Sequence, residues 1–221
     1  MSSQVLFTGL LTYAVLLFSL SFHEFGHAWT ALRSGDPTAR DLGRVTLSPL
    51  AHADVVGTVL LPLVLVFTGG FLIGWAKPVP VNPANLRNPR RDHLLVSAAG
   101  PAANVVLAFV AAIVMRLTSS FLGPASMQGA FLHEILRSMM LINILLAVFN
   151  LIPLPPLDGS WVLYHVLPRD MAERYRIFGA RWGVAVLVLL LVSGATWTWI
   201  RAGSALILPL LNAIAGTRIH L

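Results

Sequence analysis

His23 and His27 stand four residues apart, with Glu24 beside the first, in the run His23-Glu24-Phe25-Gly26-His27. Positions four apart in an α-helix lie on one face, one turn from each other, so two imidazoles at this spacing can aim at a single metal ion. Glu24 can then reach a water held by that ion without being a ligand itself, which is the arrangement metal-assisted hydrolysis needs. Zinc favours such nitrogen donors, and a catalytic zinc keeps one position open for water or substrate. A helical wet face that happens to carry Glu and His does not explain the cluster, because the residues around it are apolar.

Two histidines leave a site incomplete. The best third ligand is Asp158, in Asn150-Leu151-Ile152-Pro153-Leu154-Pro155-Pro156-Leu157-Asp158-Gly159. It is the only acid between Glu134 and Asp170 and directly follows an apolar run. The three prolines are expected to hold it on an extended arm, and Gly159 to remove bulk and permit a turn. His52 and Asp54 are weaker candidates with an interfacial reading. His93, beside Arg90, Arg91 and Asp92, suits a headgroup or salt bridge. His133, His165 and His220 show no partner spacing and read as interfacial.

The elements that must position these residues are membrane helices. From Val5 to Phe22 the chain has no charged side chain. Of the 221 residues, 57% are hydrophobic and only 11% charged, with a mean hydropathy of +0.78. Soluble domains are about 25% charged, so the composition is that of an integral membrane protein. The formal charge of +6 is then read as cytoplasmic loops facing anionic headgroups rather than as nucleic-acid binding. With no cysteine there is neither a disulfide nor a thiolate metal site. The first run has no basic residue before it and no cleavage site, so it reads as retained rather than as a signal peptide.

The apolar runs are Leu6–Leu32, Val55–Phe71, Leu94–Val114, Ile135–Ile152, Gly179–Ile200 and Ala205–Ile214. The expected fold is an all-α polytopic bundle of about five to six membrane segments in one domain, 1–221. Its catalytic core covers about residues 5–167, and further membrane helices cover about 179–216. Gly43-Arg44-Val45-Thr46-Leu47-Ser48-Pro49 reads as a short membrane-associated β-strand or an interfacial loop. Trp75 to Pro83 reads as extended, because its prolines exclude a helix. Segments 33–44, 77–92 and 169–181 are rich in Arg and prefer the cytoplasmic side. Only one apolar run separates the first two, so Val55–Phe71 is read as re-entrant, bending at Pro62 or Gly69-Gly70, with a plain spanning helix as the rival. That parity places His23, His27 and Asp158 near the cytoplasmic face.

Several motifs in order carry a family resemblance. His23-Glu24-Phe25-Gly26-His27 and Leu157-Asp158-Gly159 lie about 130 residues apart. Gly100-Pro101-Ala102-Ala103-Asn104, the Asn150–Gly159 segment and Gly74-Trp75-Ala76-Lys77-Pro78-Val79-Pro80-Val81-Asn82-Pro83 accompany them. Over about residues 10–167 the chain resembles the site-2 protease family, peptidase family M50, in its compact prokaryotic branch without PDZ or CBS domains. The resemblance implies one zinc per chain on His23, His27 and Asp158, with Glu24 activating the hydrolytic water. It also implies transmembrane protein or peptide substrates in a prokaryotic cell membrane, and raises the expectation of strands at 44–48 and 76–82.

Asn104 and Asn150 are candidates for oxyanion or substrate contact, and Asn143 is a weaker one; helix–helix hydrogen bonding is the alternative for all three. Gly100, with Ala98, Ala99, Ala102 and Ala103, is read as permitting close helix packing. Trp29, Trp161, Trp182, Trp197 and Trp199 suit interfacial anchoring, while Trp75 adjoins the extended segment and can touch substrate. The rival functions are a divalent-metal transporter, which would string polar positions across the bilayer, and an inactive scaffold, which would not need Glu24. Oligomeric state, client and cleavage position are not legible.

Overall fold

A computed structural model describes residues 3–68, 74–122 and 126–219. The chain opens with α1 (Ser3–Arg33), two short helices, α2 (Thr38–Asp41) and α3 (Pro49–His52), and a π-helical stretch, Val55–Leu60, that runs into α4 (Leu61–Thr68). A 3-10 turn at Pro83–Asn85 precedes α5 (Pro89–Thr118) and α6 (Met127–Asn150). Then follow α7 (Asp158–Val166), α8 (Arg169–Val192) and α9 (Ala195–Ala215).

Among the described residues, α1, α5, α6, α8 and α9 are long and apolar enough to cross a membrane. The packing is what a bilayer demands of such helices. Ser19, Asn104 and Asn143 are fully buried and bonded to one another, whereas Val184, Val188, Leu189, Leu206 and Leu210 are exposed. Polar groups face inward to satisfy one another, and apolar side chains face lipid. The largest apolar core joins α5 and α6 to α9 through Ala108, Ala112, Met140, Ile144, Ile200 and Leu211.

Three expectations change. No strand occurs at 44–48 or 76–82; no described residue is in a strand at all. A strand needs a ladder of backbone partners, but Pro78 and Pro80 carry no N–H. The groups of 75–82 bond singly to scattered partners instead: Trp75 N–H donates to Gly57 C=O (3.1 Å) and Lys77 N–H to His52 C=O (2.8 Å). Second, the C-terminal boundary shifts. The apolar run 179–200 is not one helix but is cut at Ser193-Gly194, where Gly194 takes a left-handed φ of 76°. Hydropathy is continuous there, so only the backbone turn separates α8 from α9.

Third, Asp158 is not on an extended arm. Residues 151–157 form tight turns, with Leu154 N–H donating to Ile152 C=O and Leu157 N–H to Leu154 C=O. Asp158 then begins α7. Gly159 does not turn the chain; a Cβ there would overlap the Leu151 and Ile152 carbonyls, so glycine permits α7 to pack on the end of α6.

The segment Val55–Thr68 has 14 residues, a rise of about 21 Å, which is short of the ~30 Å hydrocarbon core. Asp54 caps it, accepting from Val56 N–H and Gly57 N–H. Gly69-Gly70, the other bend considered for this segment, lies outside the described residues, as does His220.

Candidate active site

α1 presents His23, Glu24 and His27 a turn apart, and all three are buried. α1 and α5 approach closely at this level because Gly26 faces Ala99 and Ala103; a Cβ on Gly26 would sit 2.8 Å from the Ala99 carbonyl oxygen. This bears out close packing along the Gly/Ala face of α5. Gly100 does more than the sequence reading gave it. A Cβ at Gly100 would overlap Nε2 of both His23 and His27, so its absence forms the cradle in which the two imidazole tips meet.

From the far end of α6, the turns at 151–157 deliver Asp158 to the same point. Asp158 Oδ2 lies 3.0 Å from His23 Nε2 and 3.3 Å from His27 Nε2, and the two Nε2 atoms are 3.1 Å apart. The three candidate ligands are thus brought together across 135 residues of sequence. They form a group whose ligand atoms lie within 4.8 Å of one another.

The tautomers follow from the neighbours. His27 Nδ1–H donates to the Val96 carbonyl at 2.7 Å, and a carbonyl can only accept. Asn104 donates through Nδ2 to Ser19 C=O (3.2 Å) and to Asn143 Oδ1 (2.7 Å), so its Oδ1 accepts from His23 Nδ1–H at 2.5 Å. Asn143 is fixed in turn by donating to Ser19 Oγ and Met139 C=O. With both Nδ1 atoms protonated, two Nε2 lone pairs and a carboxylate oxygen converge on one point. Three acceptors facing one another in a buried site repel unless a cation joins them. Two imidazoles and one carboxylate are a donor set that zinc accepts, so the residues fit that metal.

Glu24 is held from the other side. Its Oε2 accepts from Val79 N–H at 2.9 Å, on the extended segment Gly74–Val81. That segment is fastened by distant residues, among them Arg44 from the stretch read as a strand or loop. Arg44, only 7% exposed, donates through Nη2 to the carbonyls of Lys77 (2.6 Å) and Pro78 (3.3 Å). Asp36, between α1 and α2, accepts from Asn82 N–H (2.7 Å) and from Asn85 Nδ2 (3.0 Å). Trp75 lies against Gly57, where a Cβ would overlap its indole ring.

A cavity of about 560 Å³ runs between these walls, lined by His23, Glu24, His27, Trp75, Asn150 and Asp158 among others. Asn150 therefore lies at the site, its Nδ2 donating to Leu146 C=O at 2.9 Å. Asn104 does not line the cavity: it is fully buried with both amide hydrogens committed, and what it touches is His23. Of the weaker metal candidates, His52 bonds Thr46 C=O and Asp54 caps a helix, so neither reaches the cluster. His93 and His165 pair with each other at 2.9 Å. Val79 N–H, Val96 C=O and Ser19 were missed, because backbone donors and a serine in an apolar run carry no signature in sequence.

A family model described as Peptidase family M50 matches residues 11–190. The Bacillus subtilis protein named "Putative zinc metalloprotease YwhC" is 35% identical over 213 residues, covering 93% of each chain. "Putative zinc metalloprotease Rip2" of Mycolicibacterium smegmatis is 34% identical over 191 residues, 86% of this chain and 70% of that one. No solved structure matches the chain significantly.

Proposed function

Since the chain belongs to peptidase family M50, the site-2 protease family, and its relatives carry names of zinc metalloproteases, we propose that it is an intramembrane zinc endopeptidase. Its substrates would be peptide bonds in or near transmembrane segments. The observation that carries this reading is the convergence of His23 Nε2, His27 Nε2 and Asp158 Oδ2 beside the carboxylate of Glu24.

His23, His27 and Asp158 would hold one zinc, which when bound supplies Lewis acidity toward water and the scissile carbonyl. Glu24 accepts the proton of the attacking water and passes it to the leaving amine nitrogen. Val79 N–H holds one oxygen of that carboxylate and so fixes its direction. Asn150 Nδ2 has a second hydrogen free to meet the carbonyl oxygen as charge develops there. Asn104 acts through His23, keeping its Nε2 lone pair aimed inward. The single domain 1–221 is supported by the shared core of α5, α6 and α9.

The site lies toward the cytoplasmic side of a prokaryotic cell membrane in this reading. Support comes from the arginine-rich loops, which are tied to one another: Arg87 N–H donates to Ser34 C=O, and Arg90 to the His165 and Leu167 carbonyls. Re-entry of the segment from Val55 is supported by its length and by the return of Trp75 to Gly57.

The test is zinc content of the detergent-purified protein, paired with cleavage of a panel of transmembrane peptides by wild type and Glu24→Gln. The expected result is one zinc in both forms, with the variant slower by about 10² to 10⁴-fold. Zinc in both with cleavage by neither favours the scaffold, and zinc carried across vesicles by the wild type favours a transporter. No zinc in either removes the ligand assignment.

A further inference from the structure

A second cavity, of about 570 Å³, adjoins the first and is cationic. Its walls include Arg90 and His93 of α5, Trp161, Tyr164 and His165 of α7, and Arg169 of α8. His93, Trp161 and Pro83 line both cavities, so whatever occupies one is in reach of the other. The shared wall is already built. His93 Nδ1 and His165 Nε2 are bonded at 2.9 Å, and the Arg90 guanidinium donates to the His165 and Leu167 carbonyls at 3.0–3.2 Å. A pocket of this size accepts several side chains of a peptide.

The charge is not spent locally. Arg90 donates to the neutral carbonyls of His165 and Leu167, which leave its charge in place. Glu173, the acid in the wall, is bonded by Arg176 instead. Arg169 opens α8, where a cation in the first turn opposes the helix dipole, so helix stability gives no reason for it. Asp170 beside it is not in the wall.

Cytoplasmic flanks of ordinary transmembrane segments are rich in Lys and Arg. A cationic pocket beside the cleavage site repels such flanks and admits acidic ones, which is discrimination by rejection. We propose that this second cavity receives the juxtamembrane flank of the substrate and selects acidic flanks, with Arg90 and Arg169 as the charges that read them. Trp161 and Tyr164 pack the flank's apolar side chains. The inference rests on the endopeptidase reading above.

The experiment uses one transmembrane peptide with an acidic, a neutral or a basic flank, in phosphatidylcholine vesicles. The wild type is expected to favour the acidic over the basic flank by about tenfold in kcat/KM, and Arg169→Glu to reverse that order. Raising the salt concentration is a mutation-free check, since screening shrinks a charge-based preference. Equal handling of all flanks, or an acidic preference untouched by Arg169→Glu and by salt, overturns the proposal. Binding of the same peptides to Glu24→Gln separates the two readings. An acidic preference in binding, with no cleavage by the wild type, removes the endopeptidase and keeps the pocket; cleavage without any flank preference does the reverse. Loss of the preference when phosphatidylglycerol is added, with that lipid retained by the wild type but not by Arg169→Glu, makes the occupant a lipid headgroup and overturns the assignment to substrate.

Discussion

On one wall of the proposed catalytic cavity, His23, His27 and the asparagines behind them project from α1, α5 and α6, three helices of 24 to 31 residues. The facing wall, Gly74–Val81, has no secondary structure and is held by scattered bonds to Glu24, Arg44, His52 and Gly57. The first wall orients the proposed metal ligands through buried hydrogen bonds that leave one tautomer. The second orients the proposed base, Glu24, through one backbone N–H on a tethered segment. Helices give a site its fixed geometry, while a segment tied at separate points can yield without disturbing the candidate ligands on the helices. The comparison predicts that changes to the helical wall act on zinc, and changes to the tethered wall act on turnover with zinc intact.

The largest effect is expected at Gly100. Gly100→Ala places a methyl group on both Nε2 atoms, and zinc content measured by atomic emission should fall to near zero. Full zinc occupancy in that variant would remove the cradle. Next comes Asn104→Ala, which frees His23 Nδ1–H from its acceptor. Outer partners of ligating histidines are worth about 10- to 100-fold in metal affinity, so competition with a chelator should show a loss in that range. Asn143→Ala, one bond further out, should lose less.

On the other wall, Arg44→Ala releases the Lys77 and Pro78 carbonyls and loosens Val79. Misplacing a catalytic group by about 1 Å costs up to ~10²-fold, and a partial shift here is expected to cost about tenfold in kcat with unchanged zinc affinity. A loss of zinc in Arg44→Ala would merge the two walls into one unit. The smallest effect concerns Asp36. Burial raises this carboxyl, but the Thr38, Asn85 and Asn82 donors outweigh it and hold it below the ordinary carboxylate range. Its folded form therefore binds protons less readily than the unfolded chain. The stability it contributes is complete above the ordinary carboxylate pKa and is lost as pH falls through the folded value. Acid should lower the melting temperature of the wild type more than that of Asp36→Asn, and parallel pH curves would dismiss the tether.

Much of the helical wall was legible because its signals are local. His23, Glu24 and His27 share one turn of one helix, and Asp158 ranked first among the residues that could join them. The tethered wall was only half legible. Prolines at 78, 80 and 83 announced an extended course, but not what would hold it. Arg44 looked like a strand residue because alternation is all a short sequence stretch can show, and its partners lie 33 and 34 residues away. Asn104 was marked as a polar residue in an apolar run, yet its direction, toward His23 rather than the cavity, depends on how α5 is rotated against α1.

The sequence by itself determined the membrane class, and it named the three candidate ligands and the candidate base, because side-chain chemistry and helical spacing are written residue by residue. Tertiary structure alone decided which nitrogen of each histidine faces inward, that Gly100 is a cradle, and that Val79 reaches Glu24. It also decided that α8 and α9 part at Gly194. Each of these depends on backbone groups, or on the absence of a Cβ, meeting a partner distant in sequence or turning the chain. Neither hydropathy nor residue type records such a meeting.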